Sequence, residues 1–463
     1  NSVRLISLLL WSNINRTDPL LQTRTGYVFP TADDRTVADA ACHVLRYRFD
    51  PPPMRIAMGF NPASRVQDYL VFGEFGDVNP SITDSSTYTF LSPERMAELF
   101  EHEIEGCFLY SRHFNPTNKY LASALARMED GEAAQVMASG MGAISTTLMT
   151  LCSAGDEIVC GRTIYGGTYA LLKNLLPRFG VNARFVDLCD HDALRAAMTP
   201  RTRVLYCESL SNPLLEVSDL PALAAIAHEN GARLVVDNTF TPMIVSPLRH
   251  GADVVVHSLT KFVNGTSDCV AGCVVSSREF IARLNDINAG PSMLLGPVLD
   301  STRAASILKN LHSLHIRLRQ HGANALYLAS RLEGLGYTVH YPGLASHPQH
   351  GLLGRLMNPG YGWGGMLTLD AGDLATANRL MTLMQREQVG YLAVSLGYFK
   401  TLFTTPGHST SSEIPLEERE AAGLHEGLIR FSIGLDEDIA ETMARIDRCL
   451  VEAGARPVGR ART

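Results

Sequence analysis

The stretch His257-Ser258-Leu259-Thr260-Lys261 decides the interpretation of this chain. The residues before it, 253–256, are one aspartate and three valines, and they predict a buried strand that ends in polar side chains. The earlier run Arg233-Leu234-Val235-Val236-Asp237 predicts another strand, which ends in a carboxylate. Because parallel strands present their chemistry at their carboxyl ends, Lys261 and Asp237 are predicted to meet at one edge of a sheet.

A reactive lysine beside a carboxylate is the pair that a pyridoxal 5'-phosphate (PLP) enzyme requires. The lysine holds the cofactor as a Schiff base, and the carboxylate keeps the pyridine nitrogen protonated. Each residue alone has an ordinary alternative, since Lys261 could be a solvated surface lysine and Asp237 a helix cap.

Strand-like and helix-like runs alternate from residue 115 onward, which predicts an α/β fold with a mostly parallel sheet flanked by helices. A long helix is predicted over 304–332, followed by mixed strands and helices that form a smaller C-terminal α+β domain. The predicted strands of the sheet are 134–138, 157–160, 183–186, 204–207, 234–236, 253–256 and 271–275.

The predicted domain plan has four parts. Residues 1–53 form a poorly structured extension, because Asp50-Pro51-Pro52-Pro53 blocks regular structure. Residues 54–114 are turn-rich and form an extended arm. Residues 115–311 form the large domain, and residues 312–463 form the C-terminal domain.

Composition excludes several classes of function. The chain has 463 residues, 46% hydrophobic and 19% charged, with a net charge of −7, as in an ordinary soluble protein. No basic cluster predicts nucleic-acid binding, and the apolar run 5–11 is far shorter than the roughly 20 residues of a membrane span. The nine cysteines include no Cys-x-x-Cys pair, so we interpret them as reduced thiols of a cytoplasmic protein rather than metal ligands.

A phosphate site is predicted where Ala138-Ser139-Gly140-Met141-Gly142-Ala143-Ile144 follows a strand and opens a helix. The backbone N–H groups of Gly140 and Met141 would bind the anion, and the hydroxyls of Ser258 and Thr260 could donate to it. The alternative is a dinucleotide site and a nicotinamide-dependent oxidoreductase. That glycine fingerprint is incomplete, because Ser145 stands where a third glycine or alanine is expected.

Four further side chains are candidates for binding. Tyr165 lies on a glycine turn and could stack on a pyridine ring or merely plug the turn. Asn212 precedes a proline, which is first a turn signal, and could also bond to the phenolic oxygen of the cofactor. Arg112 offers a fork for phosphate, or is a surface arginine. Arg430 lies on an apolar strand and needs a partner, either the carboxylate of an amino-acid substrate or an internal salt bridge.

Together these motifs resemble the PLP-dependent enzymes of cysteine and methionine metabolism, the family of cystathionine γ-synthase, cystathionine γ-lyase, methionine γ-lyase and O-acetylhomoserine sulfhydrylase. The resemblance extends from about residue 80 to residue 453. The matching segments, in family order, are 110–117, 139–141, 165–168, 208–213, 236–240, 257–261, 341–348, 395–397 and Arg430.

The resemblance implies the fold type I architecture of PLP-dependent transferases, PLP as cofactor, and a homo-oligomer, a dimer or a dimer of dimers. It also implies a role for each matching residue. Lys261 holds the cofactor and moves protons, Asp237 binds the ring nitrogen, and Tyr165 stacks on the ring and is a candidate acid. The phosphate is bound within one subunit by Gly140, Met141, Ser258 and Thr260, and the phosphate of the neighbouring subunit is reached by Tyr110 and Arg112. Asn212 approaches the cofactor oxygen, and Ser395 and Arg430 hold the substrate carboxylate.

Substrate choice is implied by the residue before Ser395. Members that use cystathionine carry a glutamate there, which binds the distal amino group, whereas this chain has Val394, as methionine γ-lyases do. Two positions conflict with that subgroup, because Gly167 stands where its members usually carry cysteine and Ser292-Met293 where they usually carry Lys-Asp. The substrate implied is an amino acid with an uncharged γ-substituent.

The reaction implied is γ-elimination on a sulfur amino acid of the methionine γ-lyase type, giving 2-oxobutyrate, ammonia and a thiol. The alternative is γ-replacement on an O-acylhomoserine. An alternative of another class is a catalytically silent subunit with this fold, against which the intact Lys261, Asp237, Tyr165 and Arg430 argue.

Overall fold

The structure, a computed structural model, describes residues 59–70, 76–90, 92–101, 107–409, 412–421 and 423–457. Two compact units divide the chain, residues 1–60 with 72–80 and residues 61–71 with 81–463. The extension predicted over 1–53 lies outside the described residues. Every element below belongs to the second unit. The predicted arm contributes two short helices to it, α1 (Pro62–Gln67) and α2 (Pro93–Glu101).

All seven predicted strands are present in one sheet, with the order β1-β7-β6-β5-β4-β2-β3. Neighbours are parallel except β7, which runs antiparallel to β1 and β6. The strands are β1 (Ala133–Met137), β2 (Glu157–Gly161), β3 (Asn182–Val186), β4 (Thr202–Glu208), β5 (Arg233–Asp237), β6 (Val254–Ser258) and β7 (Gly272–Ser276).

Helices cover this sheet on both faces. Alternate residues of one strand therefore enter different cores, since Val235 of β5 packs in one hydrophobic cluster and Val236 in another. Burial on both faces explains why these strands read as continuous apolar runs. The helices along this part of the chain are α3 (Pro116–Glu129), α4 (Gly140–Leu151), α5 (Gly166–Ala170), α6 (His191–Ala197), α7 (Leu220–Glu229), α8 (Arg278–Leu284), α9 (Pro291–Leu295) and α10 (Ser301–Leu311).

The long helix predicted over 304–332 is wrong as a single element. It is two helices, α10 and α11 (Leu314–Gly334), separated at His312-Ser313. The hydroxyl of Ser313 donates to the carbonyl of Asn310 at 3.0 Å. This is the local side-chain bond by which serine competes with a continuous helical ladder.

A second sheet has the order β10-β11-β12-β9-β8 and is antiparallel except between β10 and β11. It packs with helices around a third hydrophobic cluster, which completes the predicted α/β fold with a smaller C-terminal α+β part. Its elements are β8 (Val339–His340), α12 (His350–Leu356), β9 (Met366–Asp370), α13 (Leu374–Arg386), β10 (Gly390–Leu392), β11 (Thr401–Thr404), α14 (Leu416–Ala421), β12 (Leu428–Ser432) and α15 (Ile439–Ala453).

The arrangement of the two sheets does not locate the domain boundaries. The boundaries predicted at 53/54, 114/115 and 311/312 therefore stay predictions. Among the described residues, no helix combines the length and the apolar character needed to cross a membrane.

Candidate active site

Lys261 lies in the turn that follows β6, three residues beyond Ser258. Its Nζ donates to the hydroxyl of Ser395 at 3.1 Å. Burial, and then the charge of Arg430, lower the pKa of Lys261 to about 8. A lysine in such surroundings loses its proton more readily than the solvated lysine of the ordinary alternative, because burial disfavours its charged form.

Asp237 is the last residue of β5, and it pairs in register with Val256 of β6 and with Glu208 of β4. Its carboxylate accepts the N–H of Thr239 at 2.9 Å and the hydroxyl of Tyr206 at 3.4 Å. Burial raises the pKa of Asp237. A cationic ring nitrogen beside this carboxylate would favour its ionised form, because an opposite charge offsets the cost of desolvation.

The start of α4 lies against the end of β6. A Cβ added at Gly140 would be 2.8 Å from the Cβ of Ser258, so only glycine permits this approach. The N-cap residue Ser139 accepts the N–H of Gly142 at 2.9 Å, which starts the helix cleanly. The start of α4 at Gly140 therefore lies beside the hydroxyl of Ser258, in an arrangement that suits a phosphate group.

Thr260 is held differently from the other predicted phosphate ligands. Its hydroxyl donates to the carbonyl of Ala271 at 3.2 Å and accepts the N–H of the same residue at 2.9 Å. These bonds join the turn that carries Lys261 to the segment before β7. Its role in binding phosphate stays a prediction.

A buried carboxylate, a lysine of lowered pKa and a helix start at a serine hydroxyl fit the ring nitrogen, aldehyde and phosphate of PLP. A family model described as "Cys/Met metabolism PLP-dependent enzyme" matches residues 67–451. The chain belongs to this family. PLP is therefore its cofactor.

Among curated relatives of this PLP-dependent family, a methionine γ-lyase of Arabidopsis thaliana is 45% identical over 369 residues, which are 78% of this chain and 84% of that protein. An O-succinylhomoserine sulfhydrylase of Pseudomonas aeruginosa is 37% identical over 380 residues, 81% of this chain and 91% of that protein. A crystal structure from Campylobacter jejuni, which contains a pyridoxyl-lysine monophosphate residue, matches with a TM-score of 0.78 at 29% identity, covering 85% of this chain and all of that one.

Arg430 projects from β12 and is only 3% exposed. Its guanidinium donates to Oδ1 of Asn212 at 2.9 Å and to the carbonyl of Ser395 at 3.4 Å. Burial lowers the pKa of Arg430 to about 10. Within the part of the chain that the structure describes, no carboxylate forms an ion pair with this arginine, so the alternative of an internal salt bridge finds no partner there. A buried guanidinium whose hydrogen bonds go to an amide oxygen and a carbonyl suits a substrate carboxylate.

Tyr165 precedes α5, and its side chain is 40% exposed. Its backbone N–H donates to a carboxylate oxygen of Glu208 at 2.7 Å, and the other oxygen of Glu208 accepts the N–H of Asn212 at 2.7 Å. Sequence reasoning treated Glu208 only as part of a motif and missed this role. The available signal was its position, because Glu208 ends β4 just as Asp237 ends the neighbouring strand β5.

A second residue that sequence reasoning missed is Glu413. Burial, and then the charge of Glu413, raise the pKa of Tyr165. The carboxylate of Glu413 is exposed, while the following Ile414 is buried in the cluster that also contains Tyr169 of α5. The sequence does not reveal that the charge of Glu413 acts on Tyr165, because the two residues are about 250 positions apart.

Three predicted residues are exposed. Val394 is 60% exposed, one residue before Ser395. Tyr110 is also exposed, and the guanidinium of Arg112 lies 5.7 Å from the centre of its ring. Arg112 donates to the carbonyl of Met293 in α9 at 3.0 Å. These contacts do not test the roles in binding cofactor and substrate that the sequence predicts for the three residues, so those roles stay predictions.

Proposed function

We propose that this enzyme cleaves the Cγ–S bond of a sulfur amino acid by γ-elimination, as a methionine γ-lyase does, and releases 2-oxobutyrate, ammonia and a thiol. The observation that carries the proposal is the junction of Lys261 with Ser395, whose carbonyl also binds Arg430. It brings a weakly basic amine and a carboxylate-binding guanidinium to the same residue. The similarity to the Arabidopsis methionine γ-lyase supports the choice of substrate.

Each residue of the site has one task in this reaction. PLP supplies the electron sink when bound, and Asp237 holds its ring nitrogen protonated. Arg430 and Ser395 hold the substrate carboxylate and so orient the Cα–H bond. The neutral amine of Lys261 would accept the Cα proton, deliver it to the bound cofactor and, neutral again, remove a proton from Cβ, which its lowered pKa permits.

Loss of the γ-substituent requires an acid for the departing sulfur. Tyr165 is that acid in our proposal, because its hydroxyl keeps its proton over the neutral range. Burial and the charge of Glu413 both raise the pKa of Tyr165. The proton passes from the phenol to the sulfur as the Cγ–S bond breaks, and a neutral thiol departs.

The second candidate is γ-replacement on an O-acylhomoserine. It is favoured by the similarity to the Pseudomonas O-succinylhomoserine sulfhydrylase. It is also favoured by Gly167, where a Cβ would come within 2.5 Å of the Tyr165 ring, so glycine leaves the ring in this position. Both reactions share every step up to departure of the γ-substituent, and they differ in whether a second thiol is held.

We also propose that the enzyme works as a homo-oligomer, a dimer or a dimer of dimers, in which Tyr110 and Arg112 complete the phosphate site of the neighbouring subunit. The exposure of Tyr110 supports this proposal. A cytoplasmic location is part of the same proposal and rests on the cysteine usage of the sequence.

The decisive experiment supplies the purified enzyme with L-methionine alone, or with O-acetylhomoserine plus sulfide, and identifies products by mass spectrometry. We expect 2-oxobutyrate, ammonia and methanethiol from methionine, and no products from Lys261→Ala. Formation of homocysteine from the ester, with methionine left intact, would replace elimination by the second candidate. Borohydride reduction and peptide mapping check the lysine, since a phosphopyridoxyl label elsewhere contradicts its assignment.

A further inference from the structure

Glu208 is a buried carboxyl residue whose two oxygens bind to different loops. It ends β4, and only 7% of it is exposed. One oxygen accepts the N–H of Tyr165 and the other accepts the N–H of Asn212, both at 2.7 Å. The two donors belong to different loops, one after β2 and one after β4, so this side chain joins the loops that carry them.

Hydrogen bonds continue this connection across the two sheets. Asn212 accepts a bond from Arg430 at 2.9 Å, and Arg430 reaches the carbonyl of Ser395 at 3.4 Å. Ser395 in turn accepts the bond from Lys261 at 3.1 Å. A continuous series of bonds therefore runs from the backbone of Tyr165, through Glu208, to the lysine.

A carboxyl group can make both bonds of Glu208, and burial and then the charge of Asp237 raise its pKa to about 8. Each of its two oxygens can accept a hydrogen bond, whereas an amide of the same shape has one oxygen and one NH₂ group. A glutamine here would turn a donor toward the N–H of Tyr165 or of Asn212. An unpaired buried N–H would result, which is costly to leave unsatisfied.

We propose that Glu208 is a positioning residue, which fixes the Tyr165 ring and the Arg430 guanidinium relative to each other by holding the Tyr165 and Asn212 backbones at once. The inference rests on the proposed function in one respect, that Tyr165 and Arg430 face the substrate. Glu208 itself does not touch the reacting atoms. Its substitution should therefore alter substrate binding and turnover together while leaving the cofactor on Lys261.

A merely structural role for Glu208 is the competing explanation, and the chain offers a matched control. Glu157 is a buried carboxylate at the opposite end of the same sheet, where it begins β2. It accepts from Thr199 at 2.9 Å and pairs with Arg184 at 3.3 Å and with Arg201. Glu157→Gln weakens the same kind of buried network far from the strand ends that carry the site.

The test uses PLP-loaded wild-type enzyme, Glu208→Gln, Glu208→Asp and Glu157→Gln. The dissociation constant of L-norleucine, a methionine analogue without a leaving group, is measured from its effect on the cofactor spectrum. Melting temperature, KM and kcat with methionine, and the borohydride-trapped label on Lys261 are measured beside it. Aspartate keeps the carboxyl group but is one methylene shorter, so it spans the two N–H groups less well.

We expect Glu208→Gln to raise the dissociation constant of norleucine roughly tenfold or more, as loss of one buried hydrogen bond predicts. It should also lower kcat and leave the label on Lys261 intact, with Glu208→Asp between it and wild type. Glu157→Gln should lower the melting temperature and leave the dissociation constant within about twofold, because it touches no group of the site.

Norleucine affinity and kcat equal to wild type in both Glu208 variants would overturn the inference. So would a loss that matches the fraction of enzyme left unfolded. If Glu208→Gln does not fold, Glu208→Asp decides by the same criteria. Failure of the proposed function would show in the wild-type enzyme, as absence of methionine cleavage, whereas failure of this inference shows in the comparison of the variants with wild type.

Discussion

The Nζ of Lys261 and the hydroxyl of Ser395 lie 3.1 Å apart, although one follows β6 of the large sheet and the other precedes β11 of the small one. Gly397 makes this approach possible. Its φ is +79°, and a Cβ there would lie 2.5 Å from the N of Phe262 and 2.8 Å from the carbonyl carbon of Lys261. The two backbones touch at a residue that must be glycine for both reasons.

Gly397→Ala is therefore predicted to separate the Lys261 and Ser395 turns and to abolish most activity. Gly372→Ala is the control, because Gly372 has a φ of +91° with nothing within 4 Å of an added Cβ. The control should lose only about 1–2 kcal/mol of unfolding free energy, which is the cost of placing alanine in a left-handed backbone conformation. Chemical denaturation and kcat/KM measure both variants. Equal losses of stability and activity in the two would show that contact with Lys261 is unimportant.

The lowered pKa of Lys261 predicts how the cofactor-free enzyme takes up PLP. Below a pH of about 8 the lysine is a cation, and above it the lysine is a neutral amine that can attack the aldehyde. The rate of PLP uptake should rise with pH and reach half its plateau near pH 8, followed by visible absorbance. A midpoint close to the ordinary lysine value of about 10.4 would contradict the assignment. Because the charge of Arg430 contributes to the shift, Arg430→Met should move the midpoint to higher pH.

Arg430→Met is also predicted to separate stability from function. The guanidinium is 3% exposed and finds its partners in an amide oxygen and a carbonyl, so its burial is costly without substrate. The melting temperature of the cofactor-free variant should equal or exceed that of wild type. KM for methionine should rise by roughly a hundredfold, equal to about 2.7 kcal/mol of lost binding. A lower melting temperature with an unchanged KM would indicate a structural arginine.

Substrate choice is predicted to depend on Val394. Val394 carries no charge, so an ammonium at the far end of cystathionine would find no counter-charge at this residue. Val394→Glu should raise kcat/KM for cystathionine relative to methionine by tenfold or more, with Val394→Gln as the uncharged control. Wild-type enzyme that prefers cystathionine would point to Glu413, whose charge already acts on Tyr165, as the group that binds the distal amine.

Subunit exchange tests the predicted role of Arg112. Arg112→Ala and Lys261→Ala are each predicted to be inactive, and a mixture of the two should regain activity, because a hybrid dimer contains one site with both residues intact. Exchange itself is followed with differently tagged subunits. Proven exchange without recovery would place Arg112 and Lys261 in the same site of one subunit.

The sequence by itself determined the large sheet and supplied the candidates for the cofactor residues. Buried parallel strands appear in the sequence as apolar runs that end in polar residues. The ends of β5 and β6 therefore drew attention to Asp237 and Lys261 as candidates. These signals are local in sequence, and each candidate motif lies at the end of an element whose pattern predicts it. The break between α10 and α11 escaped prediction because the apolar spacing continues through His312-Ser313.

Only the tertiary structure decided which side chains share hydrogen bonds. Glu208 joins Tyr165 to Asn212, and Asn212 meets Arg430 across 218 residues of chain. No periodicity or spacing encodes such contacts, because they arise where strand ends of one sheet meet a loop and a strand of another. The sequence names the groups that can do chemistry, and packing of the two sheets fixes the distances over which they act.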